Sequence, residues 1–332
     1  MNFRVGCAER VGRLLCLFIV GLWVTAGTSA GEATVSRDEL LARMERVMGK
    51  FPGAERRCDL DVKVLEEVDC GPYVRKFLTY ESEAGGTVPA YLLVPKAEIL
   101  KKGPGGKAIG ILTLHQTHKL GQKVVVGLGA STNDEYGVEL AKRGFVCLAP
   151  PYPHLANYAP SLTNWESGTM KAIWDNVRGL DLLTEYAGCD PGRFGAIGHS
   201  LGGHNSLFTA AFDERIKVVA TSCGFDSFLD YMDSRIGGWT QTRYMPKLGD
   251  YAPDWFAFDF DTVLEAIAPR RVFVNAPKGD SNFKWESVDR VVAKARERSS
   301  VVVEVEHPDC EHKFPKEMRE KAYAVIEEVL LR

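Results

Sequence analysis

The sequence has no long apolar run, no excess of charge of either sign and no closely spaced cysteine and histidine pairs. Its 332 residues include 41 Lys and Arg against 44 Asp and Glu, for a formal net charge of −3. Both signs are interspersed, which argues against a nucleic-acid surface. The eight cysteines and seven histidines lack the spacing of a zinc site. We therefore expect no nucleic-acid partner, no metal and no cofactor.

The N-terminal segment differs in composition from the rest of the chain. Three arginines precede an apolar run at residues 14–24, and small residues follow at 28–30. The run is too short to cross a bilayer comfortably, and this order is typical of a secretory signal peptide. We predict a signal peptide at residues 1–30, no stable membrane insertion after its cleavage, and a secreted or periplasmic single domain over residues 31–332. An uncleaved membrane anchor is the alternative.

Export would permit disulfides, and two cysteines are placed for one. Cys58 and Cys70 are close in sequence and outside the expected sheet, so they are the candidate pair. Cys147 lies in an apolar stretch and is expected to be a small core residue.

Hydrophobic periodicity predicts an amphipathic helix, three antiparallel strands and then buried strands alternating with helices. Such alternation implies right-handed crossovers and a mostly parallel sheet in one α/β domain, with no internal repeat or linker. The predicted strands are residues 61–68, 73–80, 88–94, 108–114, 145–149, 193–197, 218–222, 271–276 and 301–305, and the predicted helices are 37–48, 133–143, 169–186, 201–212, 285–296 and 316–331.

The most informative stretch is Gly198-His199-Ser200-Leu201-Gly202, a G-x-S-x-G motif between a predicted strand and a predicted helix. The motif alone is weak, but this context is that of a nucleophile elbow. Flanking glycines leave room for a strained backbone that exposes the Ser200 hydroxyl. Ser200 is therefore the candidate nucleophile; the alternative is a glycine-rich turn in which the serine only caps the helix.

A serine hydroxyl needs a base and a third group that orients the base. His312 is the preferred base because it follows the last predicted strand in a polar loop, and His307 is the rival. Asp280, after the strand at residues 271–276, is the preferred acid, with Asp226 as the alternative. The order Ser, Asp, His is that of α/β hydrolases.

The oxyanion of a tetrahedral intermediate needs two preorganised donors. The backbone N–H of Leu201, at the start of the elbow helix, is the first. The second is expected from the loop after the strand at residues 108–114, from Gln116 or Thr117, with Gln116 preferred.

Residues 223–269 form one long departure from the strand and helix alternation and contain many aromatic side chains. This segment lies where ligands bind in parallel sheets, so it is interpreted either as a small cap over the substrate pocket or as a hydrophobic cluster beneath a long loop. Both interpretations can hold together.

From about residue 88 onward, the chain resembles the α/β-hydrolase superfamily, and more narrowly its dienelactone-hydrolase-like and acetyl-xylan-esterase-like bacterial members. The matching motifs include Gly198-His199-Ser200-Leu201-Gly202-Gly203 and His307-Pro308-Asp309-Cys310-Glu311-His312. The resemblance implies a mostly parallel sheet of about eight strands with helices on both faces. Dienelactone hydrolases proper use a cysteine nucleophile where this chain has Ser200, so dienelactone opening is not implied.

The leading functional hypothesis is a serine esterase acting on carboxylic esters through Ser200, His312 and Asp280. A small-molecule or carbohydrate ester is the expected partner, the latter by resemblance alone. The alternatives are a peptidase or amidase of the same fold and a catalytically silent binding protein built on it.

Overall fold

Nine strands form one sheet in the part of the chain that the computed structural model describes, residues 35–129, 131, 134–251 and 256–332. In chain order they are β1 (Lys63–Asp69), β2 (Tyr73–Glu81), β3 (Thr87–Pro95), β4 (Ala108–Leu114), β5 (Val146–Ala149), β6 (Cys189–His199), β7 (Ile216–Ser222), β8 (Arg271–Asn275) and β9 (Val302–Glu306). Their order across the sheet is β1-β2-β3-β5-β4-β6-β7-β8-β9. The first three strands pair antiparallel, β3 meets β5 antiparallel, and β4 to β9 pair in parallel.

Helices cover both faces of this sheet, as a parallel sheet requires. They are α1 (Arg37–Met48), α2 (Tyr136–Lys142), α3 (Gly168–Glu185), α4 (Leu201–Phe212), α5 (Phe260–Ile267), α6 (Trp285–Arg298) and α7 (Lys316–Leu330). One apolar core contains side chains of α1, α3, α4, α5 and α6. The other contains side chains of α2 and α7.

Strand β4 contributes side chains to both cores. Its seven residues are all buried, which explains the continuous apolar run in place of an alternating pattern. Ile111 belongs to the core that contains α2 and α7, while the next residue, Leu112, belongs to the core that contains α3 and α4. Successive strand residues point to opposite faces, so a strand covered on both faces must be apolar throughout.

The predicted elements are all present, with ends shifted by a few residues. The predicted strand at residues 193–197 is part of the longer β6, and helix α2 is shorter than the predicted 133–143. The predicted signal peptide, the predicted start of α2 at residue 133 and Trp255 lie outside the described residues. Helix α5 was missed because it lies within the aromatic segment 223–269. Its N-cap is Asp259, whose side chain accepts from the Phe260 N–H at 2.7 Å.

The expected pairing of Cys58 with Cys70 is not formed, and both thiols are free. Cys58 Sγ donates to the Glu81 carbonyl at 3.8 Å, and Cys70 Sγ donates to the Val68 carbonyl at 3.7 Å. The two cysteines lie on opposite sides of the edge strand β1 in the sequence: Cys58 is in the loop before the strand and Cys70 follows it. Each thiol therefore contacts a different backbone carbonyl. Cys147 is buried, as predicted.

Residues Thr34–Arg332 form one compact unit. Across the described residues, every helix is too short or too polar to cross a bilayer.

The sheet core provides a direct test of these packing assignments. Leu112 is fully buried in β4, whereas Leu65 on the edge strand β1 is 58% exposed. Leu112→Ala should lower the free energy of unfolding by about 2–5 kcal/mol because it leaves a cavity. Leu65→Ala, the matched control, should change it by no more than about 0.5 kcal/mol. Urea unfolding of both variants measures the difference, and equal effects would contradict the assigned register.

Candidate active site

Ser200 occupies a strained turn between β6 and α4. Its backbone dihedrals are φ 53° and ψ −119°, a conformation that costs free energy for a residue with a Cβ. The Ser200 N–H donates to the Ser222 carbonyl at 2.7 Å, which ties the turn to the end of β7. Strain of this kind at a polar side chain is typical of an active site.

The glycines around Ser200 are required by close backbone contacts. A Cβ on Gly202 would lie 1.9 Å from the Leu114 carbonyl oxygen, and a Cβ on Gly198 would lie 2.2 Å from the Gly202 backbone. Helix α4 therefore starts directly against the carboxyl end of β4. This packing explains both glycines of the motif in physical terms.

His312 and Asp280 lie in two loops that are bonded to each other. Lys278 N–H donates to the Pro308 carbonyl at 3.1 Å, and Gly279 N–H donates to the Cys310 carbonyl at 3.0 Å. These bonds bring the side chains together, and His312 Nδ1 lies 2.9 Å from each carboxylate oxygen of Asp280. Asp280 is thus the acid that the structure pairs with His312.

Asp280 is held in its charged form by its neighbours. Burial alone would raise the pKa of this carboxyl, but the hydrogen bond and charge of His312 and the backbone N–H groups of Asn282 and Phe283 outweigh it. Those N–H groups donate to Asp280 Oδ1 at 2.8 Å and 3.2 Å. The net pKa lies below the ordinary value, so the carboxylate is available to orient an imidazole at neutral pH.

Ser200 and His312 line the same cavity, of about 310 Å³. Its aromatic walls come from the segment 223–269 together with Phe283. Backbone N–H groups of Gly168 and Thr169 at the start of α3 donate to the Thr242 and Tyr244 carbonyls, each at 3.2 Å, so the segment is anchored to the body of the fold. The cavity is lined by Thr117, Ser200, Leu201, His204, Tyr231, Gly238, Trp239, Tyr244, Asn282, Phe283 and His312.

His312 also borders a second cavity, of about 470 Å³, which contains Gln116, His199, Lys313 and Phe314 among its lining residues. The imidazole therefore stands between two spaces of different character. One is mainly aromatic, and the other carries lysine side chains.

A larger cavity, of about 620 Å³, lies between residues 83–87 and 157–165, and neither Ser200 nor His312 lines it. Its buried cation, Lys171, donates to Asp175 Oδ1 at 2.6 Å and to Ser82 Oγ at 3.0 Å. This buried charge is therefore already paired.

The loop after β4 presents both expected sources of the second oxyanion donor. Thr117 lines the Ser200 cavity and Gln116 lines the second cavity. His115 Nδ1 lies 2.7 Å from the Gln116 carbonyl, and His115 Nε2 accepts from the Tyr152 N–H at 3.0 Å. This pair of bonds fixes the peptide between Gln116 and Thr117. Sequence reasoning did not identify His115, because its role arises from contacts across space.

The other histidines near the site are occupied or uncharged. His307, the rival base, has Nδ1 2.8 Å from the Ala276 carbonyl and Nε2 3.1 Å from Asp289. Burial lowers the pKa of His199 and of His204 to about 3 each. Both rings are therefore neutral at physiological pH.

Asp226, the alternative acid, is buried and bonds to a backbone N–H group, with no hydrogen bond to His312 among the described residues. Its Oδ2 accepts from the Lys284 N–H at 3.2 Å, and its Oδ1 has no hydrogen-bond partner among the described residues. Burial raises the pKa of Asp226 to about 8, although the hydrogen bond from the Lys284 N–H lowers it. The negative charges of Asp230, Asp259 and Asp280 raise it further. The group is thus protonated at neutral pH.

Asn275 holds the loop of His312 in place, and sequence reasoning missed it. Its Nδ2 donates to Ser222 Oγ at 2.8 Å and to the Lys313 carbonyl at 2.9 Å. His199 Nδ1 lies 3.0 Å from the same Ser222 hydroxyl. These bonds join β7, β8 and the loop after β9 beneath the cavity. The available signal was only that Asn275 follows three apolar residues at the end of its strand.

A serine on a strand-to-helix elbow, with a histidine and an aspartate after later strands, is the arrangement of an α/β hydrolase. The sheet order and the two helical layers give the chain the α/β-hydrolase fold.

The solved structures with a similar fold include two esterases. The glucuronoyl esterase from Solibacter usitatus is 17% identical, with a TM-score of 0.67 over 89% of this chain and 92% of that one. Acetyl xylan esterase 1 from Thermoanaerobacterium sp. JW/SL YS485 is 16% identical, with a TM-score of 0.61 over 88% and 93%. At these identities the likeness is one of fold.

No family model matches the chain. A curated relative from Bacillus subtilis (strain 168), named "Putative hydrolase YtaP", is 41% identical over 120 residues, or 36% of this chain. The match spans 38% of that relative's length.

The protonation of Asp226 predicts a pH-dependent stability. An aspartate in an unfolded chain has a pKa of about 3.9, whereas that of Asp226 is about 8. Between these values the folded protein holds a proton that the unfolded chain has released, so this carboxyl lowers stability as pH rises from about 4 to about 8. Asp226→Asn removes the titration. In urea unfolding, the free energy of unfolding of the variant should rise relative to that of wild type between about pH 5 and about pH 8. A difference in unfolding free energy that does not change with pH would refute the assignment.

Proposed function

We propose that this protein is a serine hydrolase that cleaves carboxylic esters, with Ser200 as nucleophile, His312 as base and Asp280 as the acid that orients it. One observation carries the proposal. The strained Ser200 lines the same cavity as His312, and the Nδ1 of that histidine lies 2.9 Å from Asp280. The esterase neighbours of the fold support the same conclusion.

The mechanism follows from these positions. The Asp280 carboxylate accepts from His312 Nδ1–H, which leaves Nε2 without a proton and able to take the one on Ser200. The serine attacks the ester carbonyl, and His312 passes the proton to the leaving alkoxide. Water then releases the acid by the same route. No step calls on a cofactor.

The oxyanion formed in each step needs donors that are already in place. We assign the backbone N–H of Leu201, at the start of α4, and a backbone N–H from the loop after β4. Gln116 remains the preferred source of this second N–H group. Thr117 is the alternative, and its N–H belongs to the peptide whose carbonyl oxygen contacts His115. The dipole of α4 adds positive potential at the same point.

The substrate class is proposed as an ester of a carbohydrate or of another small molecule. Two of the fold's neighbours are named as a glucuronoyl esterase and an acetyl xylan esterase. Two cavities meeting at His312 suit an ester with a bulky group on each side. A single domain over residues 31–332, exported behind a signal peptide at residues 1–30, would place the enzyme where such esters occur.

Removal of the nucleophile gives the first test. Purified protein is labelled with a fluorophosphonate probe and assayed on p-nitrophenyl esters from acetyl to octanoyl. Wild type should label and Ser200→Ala should not, with ester cleavage lost by a factor of about 10³ or more. Unlabelled but folded wild-type protein would overturn the proposal and favour a silent binding protein.

The two buried aspartates supply a matched pair for testing the acid. Asp280→Asn should lower kcat about 10⁴-fold because the amide favours the wrong tautomer of His312. Asp226→Asn should retain activity, since His312 Nδ1 pairs with Asp280 and Asp226 instead accepts from the Lys284 N–H. Comparable losses in both variants would contradict the assignment of Asp280.

An amide substrate separates the esterase from a peptidase of the same fold. The p-nitroanilide and the p-nitrophenyl ester with the same acyl group differ only in the leaving group. We expect turnover of the ester and little of the anilide. Faster turnover of anilides of amino acids would favour the peptidase hypothesis.

A further inference from the structure

Three adjacent strands end at a cluster of metal-binding atoms. Cys223 follows β7, Asp280 lies in the loop after β8, and His312 lies in the loop after β9. The thiol sulfur of Cys223, a carboxylate oxygen of Asp280 and an imidazole nitrogen of His312 lie within 4.8 Å of one another. Cys223 has a strained φ of 47° and is only 3% exposed, so its thiol is fixed beside the pair proposed to drive catalysis.

We propose that these three side chains form an inhibitory site for a thiophilic divalent cation of the Zn²⁺ class. The inference rests on the proposed function, because it is the triad histidine that the metal would disable. One sulfur, one nitrogen and one oxygen donor are a ligand set that zinc accepts, with water as the fourth ligand. No spacing in the sequence reveals this set, since its members are 32 to 89 residues apart.

The geometry requires little movement. Zinc bonds to nitrogen and oxygen at about 2.0–2.1 Å and to sulfur at about 2.3 Å, so tetrahedral ligand atoms lie about 3.3–3.6 Å apart. His312 Nδ1 and Asp280 are 2.9 Å apart, and the sulfur is within 4.8 Å of an imidazole nitrogen and of a carboxylate oxygen of these two residues. Shifts of about 1 Å therefore convert the cluster into a coordination site.

Charge balance favours the same cation. When the Cys223 thiol releases its proton to water, the thiolate and the Asp280 carboxylate together neutralise a divalent ion, and His312 binds as a neutral ligand. A buried complex with no net charge avoids the large cost of placing an isolated ion in the protein interior. The His312 side chain is 23% exposed and borders both cavities, which provides a path from solvent.

Binding would inhibit by changing the tautomer of His312. A metal on Nδ1 displaces the proton that Asp280 otherwise holds there, and the neutral ring then carries its proton on Nε2. An Nε2–H cannot accept the proton of Ser200. The metal-bound enzyme then has the same unproductive histidine tautomer as the Asp280→Asn variant. Its activity should fall by a similar factor and return when a chelator removes the metal.

Metal binding can be measured without catalysis. Cd²⁺ is titrated into metal-free Ser200→Ala protein, and the ultraviolet absorption of the cadmium thiolate is recorded. We expect one equivalent to bind. Adding Cys223→Ser should abolish the absorption, whereas adding Cys310→Ser, which removes the half-buried thiol two residues before His312, should leave it intact. Absorption that survives Cys223→Ser, or that disappears with Cys310→Ser, would overturn the site.

Inhibition is measured in parallel on the active enzyme. Zn²⁺ should inhibit wild-type ester cleavage, and EDTA should restore it. Loss of a direct ligand in Cys223→Ser should raise the inhibitory concentration about 100-fold or more, while uninhibited activity stays close to wild type. Cys223→Ala is the second variant if Cys223→Ser does not fold, as judged by circular dichroism.

The two experiments separate the two proposals. Cadmium binding through Cys223 in a protein that lacks esterase activity would refute the proposed function and keep the metal site. An active enzyme that shows no cadmium thiolate, or whose inhibition by Zn²⁺ is unaffected by Cys223→Ser, would refute the metal site and keep the proposed function.

Discussion

The close approach of helix α4 to the end of strand β4 is the constraint on which the site depends. The Leu114 carbonyl leaves no space for a Cβ at Gly202, and Gly202 in turn leaves none at Gly198. With a glycine on each side, the chain turns at Ser200 through a backbone conformation that most residues avoid. The cost of that conformation is offset by the apolar burial of α4 between the sheet and its neighbouring helices.

Much of the fold was predictable because its signals are local. Strand β4 and helix α3 are buried along their length, and burial selects apolar residues at the spacing of each element. The apolar run of β4 and the periodicity of α3 follow from this. Candidate site residues were predictable for a similar reason, since Ser200, Asp280 and His312 follow strands whose carboxyl ends share one edge of the sheet.

The rest depends on contacts between distant parts of the chain. Helix α5 lies within an aromatic segment whose composition does not mark a helix. The bond from the Tyr152 N–H to His115, the bridge made by Asn275, and the position of Cys223 beside Asp280 each arise only when separate strands are brought together. The absence of a bond between Cys58 and Cys70 likewise reflects where β1 lies in the sheet.

The anchoring of the segment 223–269 has a consequence for how substrates enter. Backbone bonds from Gly168 and Thr169 hold residues 242–244 against the first turn of α3, and a Cβ at Gly168 would lie 2.3 Å from the Arg243 carbonyl. The aromatic wall of the cavity is therefore continuous with the main core. Under the proposed function, selectivity would reside in a preformed shape, and heat should destroy the binding site and the fold in a single cooperative transition.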